Sequence, residues 1–256
     1  MFTRYELLQE LATALKGLIN FHGSVESCLE EAGLAITETQ FSKLSQYIDL
    51  LRQKNEQVNL TAISDTKDMW VKHILDSLIA VPFMKIKPGM QIMDLGTGGG
   101  IPGIPLAIMF PSIKFTLVDS VQKKIHAVEE FAENLNLKNV RCIAERGEKL
   151  GRHPAHRDQY DIVLTRAVAP LRVLLELCVP LIHLYGQVIA YKGPDYITEL
   201  MEARNAVTKL KSEQPRVLHY KLPFDMGERT IVQVTKKQVT PELYPRHEGI
   251  PSKKPL

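Results

Sequence analysis

Apolar residues at Tyr5, Leu7, Leu8, Leu11, Leu15, Leu18 and Ile19 recur at helical spacing, and Thr37-x-x-Gln40 reads as a capping box ahead of Phe41, Leu44, Ile48 and Leu51. Residues 4–80 are therefore expected to be helical, within an N-terminal cap of residues 1–85. The pattern changes after Lys87-Pro88-Gly89. A short apolar run at 91–94 enters a glycine-rich turn, followed by a helix over 102–109 and a strand over 114–118. The next helix carries Val121, Ile125, Val128, Phe131 and Leu135. Further strands are expected at 139–143, 160–165 and 186–191, with helices near 170–184 and 195–211. Two last strands, 216–221 and 229–235, lie close enough to pair antiparallel through Pro223 to Glu228. Strands alternating with helices predict a parallel α/β sheet, here over residues 86–238.

Composition narrows the class. A chain of 256 residues with 45% hydrophobic and 24% charged residues has room for one full α/β core and an accessory region. No stretch approaches the roughly 18 apolar residues of a membrane span, so a cytoplasmic protein without membrane contact is expected. Cys28, Cys142 and Cys178 are widely spaced and form no C-x-x-C pair, which predicts buried thiols and no metal site. The charge is unevenly placed: residues 236–256 hold Lys236, Lys237, Arg246, Lys253 and Lys254 against Glu242 and Glu248. That excess equals the chain's whole net charge of +3. A Pro-rich basic tail, residues 239–256, reads as an arm for a polyanion or as a solvated terminus.

The most informative segment is Asp94-Leu95-Gly96-Thr97-Gly98-Gly99-Gly100-Ile101-Pro102-Gly103. A strand running into a glycine turn and then a helix lets backbone amides approach a nucleotide-type ligand. Read from Gly98, the run satisfies the dinucleotide pattern G-x-G-x-x-G, with Asp119 at a fitting distance for a ribose-binding acid. Read from Asp94, it is D-x-G-x-G-x-G, as in S-adenosylmethionine-dependent methyltransferases. A carboxylate at Asp94 suits a cationic methionine moiety better than a pyrophosphate, which favours the second register and places Asp94, Gly96 and Gly98 at the cofactor. Asp119 is then expected on the ribose hydroxyls, although it or Ser120 can equally cap the next helix. Five parallel strands with a terminal antiparallel hairpin, seven strands in all, match the class I, Rossmann-like methyltransferase arrangement with an N-terminal helical cap.

Strand four bears on the acceptor. It runs into Thr165-Arg166-Ala167-Val168-Ala169-Pro170-Leu171, which has neither the Asn/Asp-Pro-Pro-aromatic segment that polarises an exocyclic amine nor a nucleophilic Cys after a Pro. What remains fits an acceptor with a free lone pair, such as guanine N7, needing orientation rather than deprotonation. Arg166 can hold guanine or cofactor through its rigid donor fork.

Several segments together resemble the RsmG family, also called glucose-inhibited division protein B. They are Asn59-Leu60-Thr61-Ala62-Ile63, Lys72-His73-Ile74-Leu75-Asp76-Ser77-Leu78, Asp94 through Pro105, Leu117 to Ser120 with Lys123-Lys124, Arg146, Thr165 through Leu171, and Lys192-Gly193. The tail Tyr244-Pro245-Arg246-x-x-Gly249-Ile250-Pro251-x-Lys253-x-Pro255-Leu256 completes the set. The resemblance implies methylation of guanine N7 in the decoding-region loop of 16S rRNA, conventionally guanine-527, with S-adenosylmethionine as cofactor. It implies cofactor contacts at Gly96, Ile101, Asp119, Ser120, Val121, Gly147, Glu148 and Arg166. The partner is 16S rRNA or the small ribosomal subunit, met by Arg146, Lys192, Arg246, Lys253 and Lys254, and the protein is expected to be a monomer. No catalytic acid or base is assigned. His73 and Asp76 share a helix face, which predicts a satisfied buried pair.

Overall fold

The structure is a computed structural model that describes residues 2–19 and 29–256. Cys28 and part of the N-terminal extension lie outside the described residues. Helices α1 (Arg4–Ile19) and α2 (Glu38–Asn55) come first. The capping box at α2 forms as expected: Thr37 Oγ1 accepts the Gln40 N–H, and Gln40 Oε1 accepts the Thr37 N–H at 2.9 Å. A third helical run has three pieces, α3 (Thr66–Met69), a π-helical turn (Trp70–Leu75) and α4 (Asp76–Leu78), followed by α5 (Val81–Met84). Residues 56–65 between them are a loop, so the helical expectation over 4–80 is interrupted.

The sheet strands are β1 (Gln91–Leu95), β2 (Lys114–Asp119), β3 (Val140–Ala144), β4 (Tyr160–Arg166), β5 (Ile182–Lys192), β6 (Arg216–Lys221) and β7 (Glu228–Thr235). Their order is β3-β2-β1-β4-β5-β7-β6. The first five run parallel, and β7 then pairs antiparallel with both β5 and β6. Helices α6 (Gly103–Met109), α7 (Gln122–Asn134), α8 (Gly147–Arg152), α9 (Leu171–Cys178), α10 (Tyr196–Glu202) and α11 (Arg204–Lys209) cover the faces. Because β1 and β2 are covered on both sides, they read as continuous apolar runs rather than alternating ones. The helix expected over 170–184 stops at Cys178, and β5 already begins at Ile182. Pro180 explains the difference: Val179 still holds helical angles, but Pro180 has no N–H with which to continue the helical hydrogen-bond ladder. The segment expected as one helix over 195–211 is divided at Ala203.

The cap is not packed as a separate body. Leu7, Leu11, Leu44, Ile48, Leu51 and Trp70 belong to one buried cluster with Ile92, Leu117, Ile162 and Ile231 of the sheet. Tyr47 of α2 is fully buried and donates its hydroxyl to Gly99 O at 2.8 Å, so α2 reaches the glycine turn itself.

The C-terminal segment is also docked, contrary to the reading of a free basic arm. Arg246 makes a bidentate pair with Glu176 of α9, at 2.8 and 2.6 Å, and Glu176 is completely buried. Arg157 donates to Tyr244 O and Thr240 O, Arg152 donates to Pro245 O, and a short helix α12 (Ile250–Lys253) follows. The charge pattern could not disclose this, because Glu176 lies seventy residues away in sequence. Arg246→Ala leaves the buried Glu176 carboxylate with the backbone N–H of residue 246 but without its cation, and is expected to destabilise the protein by about 3–5 kcal/mol. Exchanging both residues for apolar ones of similar size should recover most of that loss. Denaturant unfolding checks this; an Arg246→Ala protein as stable as wild type contradicts the staple.

Candidate active site

The carboxyl ends of β1 to β4 open into one cavity of about 560 Å³. Its floor is the turn after β1. Asp94, at the end of that strand, is wholly buried; its Oδ2 accepts the Thr97 hydroxyl at 2.7 Å and the Gly103 N–H at 2.9 Å. Glycine at 103 permits this approach, since a Cβ there would sit 2.8 Å from Asp94 Oδ2 and 2.3 Å from a Leu117 methyl. Asp94 itself is not among the residues that line the cavity: its Oδ2 closes the turn, while its Oδ1 is buried without a hydrogen-bond partner. Burial raises its pKa to about 7, against the opposing pull of those two hydrogen bonds.

At the end of β2, Asp119 receives the Gly98 N–H at 3.1 Å on Oδ2 and the Val121 N–H at 2.9 Å on Oδ1. Each oxygen keeps a lone pair for a ligand hydroxyl. Gly96, Gly98, Ile101, Ser120, Val121, Gly147, Glu148 and Arg166 line the same cavity, so nine of the ten expected cofactor residues, Asp119 included, converge there. Over Gly96 hangs Val168, close enough that a Cβ on Gly96 would lie 2.3 Å from its methyl. Val168 follows Ala167, which holds a positive φ of 54° in the loop after β4, a strained conformation for a residue with a side chain.

The cap supplies the remaining wall. Asn55 Oδ1 accepts the Leu60 and Thr61 N–H groups, and its amide donates to Thr61 O, which places Leu60 and Thr61 on the cavity. His73, in the π-helical turn, lines the cavity with its Nε2 2.9 Å from Thr61 Oγ1. Asp76 is buried as well, but the two do not pair with each other as expected. Asp76 Oδ1 receives the Tyr220 hydroxyl, and its Oδ2 lies 3.2 Å from Arg166 Nη2. A π turn breaks the register that puts positions three apart on one face, which separates their partners. Burial, then the positive charge of Arg166, hold the His73 imidazole near a pKa of about 4, so it is neutral at pH 7.

Of the five cations expected on RNA, Arg146 lines the cavity and Lys253 and Lys254 are exposed beside Ser252, which also lines it. Lys192 and Arg246 are corrections. Lys192 Nζ lies 2.6 Å from Glu199 Oε2 and 2.7 Å from Ala169 O, so it braces the loop after β4. Arg246 is spent on Glu176. Glu145 also lines the cavity, as do Lys124 and Ser252, to which sequence reasoning gave no role there. The docked tail brings Ser252 in, because Gly249 N donates to Glu148 Oε1 at 3.0 Å. Among the described residues no cluster of metal-ligating side chains forms, and no helix is long and apolar enough to cross a membrane.

The arrangement fits a nucleoside: a hydroxyl-accepting carboxylate at Asp119 and a bare glycine floor at Gly96, with a buried Arg166 Nη1 that has no protein partner. Fold and site define a class I S-adenosylmethionine-dependent methyltransferase. In overall fold the chain is similar to a SAM-dependent methyltransferase from Aquifex aeolicus (TM-score 0.51, 16% identity, covering 72% of this chain and 98% of that one). It is likewise similar to a SAM-dependent O-methyltransferase from Thermotoga maritima (TM-score 0.50, 16% identity, 75% and 72%). Sequence similarity is far higher to proteins named ribosomal RNA small subunit methyltransferase G. That of Carboxydothermus hydrogenoformans is 44% identical over 88% of this chain and 96% of its own length, and that of Bacillus cereus 39% over 90% and 97%. The model of the GidB family, rRNA small subunit methyltransferase G, matches residues 40–232, and the chain belongs to that family.

Two outcomes follow from this geometry. Gly98 has φ of 56°, and a Cβ there would meet only Leu60 O, at 4.0 Å, so Gly98→Val should fold, at a cost of about 1–3 kcal/mol for the strained backbone, and should lose S-adenosylmethionine binding measured by calorimetry. Tight binding by that variant, or NAD binding by the wild type, contradicts the assignment. For His73, the unfolded chain binds more protons than the folded one between pH 4 and 6.5, so its contribution to stability rises with pH across that window and is lost in acid. An NMR titration should place its midpoint near 4; a midpoint near 6.5 contradicts its burial.

Proposed function

We propose that the chain methylates N7 of a guanine in the decoding-region loop of small-subunit rRNA, the position conventionally numbered 527 in 16S. It acts as a cytoplasmic monomer whose cap, sheet domain and C-terminal segment all contribute walls to one site. When bound, S-adenosylmethionine supplies an electrophilic sulfonium methyl. Guanine N7 offers a lone pair and has no proton to lose, so the protein's part is to bind, orient and exclude water. The observation that carries this reading is the composition of the site around the loop after β4. No cysteine among the described residues lines the cavity, the loop holds no amine-polarising segment, and the one imidazole there is neutral and tied to Thr61. Nothing in that set is arranged to remove a proton.

Arg146 and Lys124 line the cavity, the exposed Lys253 and Lys254 follow Ser252, which also lines it, and the four are assigned to rRNA phosphate or to the guanine. Substituting Arg146, Lys253 and Lys254 by alanine should flatten the slope of log affinity against log salt by about 0.7–0.9 for each phosphate no longer neutralised. The methylated base should stay the same, since phosphate contacts position while base contacts specify. The direct test incubates the protein with S-adenosylmethionine and either naked 16S rRNA or small subunits lacking the modification, followed by strand scission specific for 7-methylguanine. Cleavage at a single guanine of the decoding-region loop is expected; methylation at another atom, or of no RNA, contradicts the proposal.

A further inference from the structure

Tyr220 and Arg229 stand directly opposite each other on the antiparallel hairpin β6–β7, and neither lines the cavity. Both nevertheless reach the residue that holds a cavity side chain. The Tyr220 hydroxyl donates to Asp76 Oδ1, and Arg229 Nε lies 3.7 Å from Asp76 Oδ2. Asp76 is 1% exposed and sits 3.2 Å from Arg166 Nη2, which also donates to Lys72 O at 2.6 Å. On the neighbouring strand β5, Tyr191 donates to Ser77 O at 2.9 Å. Three strands thus grip the helix that follows the π turn, and that helix grips Arg166. Every contact on one terminal nitrogen of Arg166 faces the cap, while the other, Nη1, is buried without a protein partner.

We propose that Tyr220, acting through Asp76, is a positioning residue for Arg166: the hairpin sets the orientation in which the guanidinium presents its unpaired Nη1 to a bound ligand. Arg166 and Arg229 both approach Oδ2, so without the phenol Oδ1 has no donor and the buried carboxylate has more freedom to turn. The phenol removes that freedom, because Asp76 must satisfy one donor on each oxygen at once. The burden on Tyr220 is geometric. Its ring remains packed in Tyr220→Phe, which deletes only the hydroxyl.

The inference rests on the cofactor reading of the cavity, so the experiment has one arm that does not. In arginine-labelled protein without ligand, the Arg166 guanidinium should show slow rotation about its Cζ–N bonds in the wild type and faster rotation in Tyr220→Phe, with Arg166→Ala identifying the signal. In the second arm, the affinity for S-adenosylhomocysteine should fall about three- to thirtyfold in Tyr220→Phe. Asp76→Asn should do the same, and Tyr220→Phe should add nothing in an Arg166→Ala background. Unchanged Arg166 rotation, or equal losses from Tyr220→Phe with and without Arg166, overturns the proposal and leaves Tyr220 a packing residue. Failure of the wild type to bind S-adenosylhomocysteine overturns the cofactor reading instead, and the rotation arm then still decides whether the clamp exists.

Discussion

The site depends on one buried carboxylate. Asp94 ends β1 fully buried, and one of its oxygens ties together the start and the end of the glycine turn through Thr97 and Gly103. Without that tie the turn would be a glycine-rich loop whose backbone entropy works against any single conformation. With it, Gly98 N points at Asp119, α6 begins at a fixed place, and the floor beneath Val168 is set. A buried carboxylate is costly, which its raised pKa records. The hydrogen bonds it makes are what justify keeping it.

The helical cap carries this order outward. Tyr47 fixes Gly99 O, and Leu51 and Leu60 pack where any side chain at position 99 would stand. The π turn places His73 on the cavity and Asp76 in the core within four residues, a division of labour that a regular helix face does not provide. The C-terminal segment closes the circuit through Glu148 and Glu176. Cap, sheet and tail are three regions of sequence that build a single cavity.

Much of this was legible in the chain. The strands, the parallel sheet and its antiparallel hairpin followed from strand and helix spacing because parallel sheets impose long, regular alternation, and the glycine turn and Asp119 followed from the strand ends. What was not legible shares a cause. Sequence shows a residue's position but not which way its side chain turns, and Asp94 Oδ2 turns back to the Gly103 N–H, nine residues on. Lys192 and Arg246 were counted as free charges because Glu199 and Glu176, which neutralise them, are brought close only by tertiary packing. The π turn has no composition signature at all, and it alone decides that His73 and Asp76 have different partners.

A carboxylate that builds the turn, rather than one held ready for a ligand, leaves a signature in the protein alone. Asp94 retains a proton in the folded state up to about pH 7 that it loses near 3.8 when unfolded, so its contribution to stability falls as pH rises through that interval. Asparagine at 94 keeps the shape and cannot titrate. The decisive measurement is the unfolding free energy of wild type minus that of Asp94→Asn from pH 4 to pH 8. The account predicts a difference that declines with rising pH and levels off above about pH 7. A difference that stays flat, or grows with pH, would mean that Asp94 is ionised and solvated at the cavity, and the turn would then need another explanation.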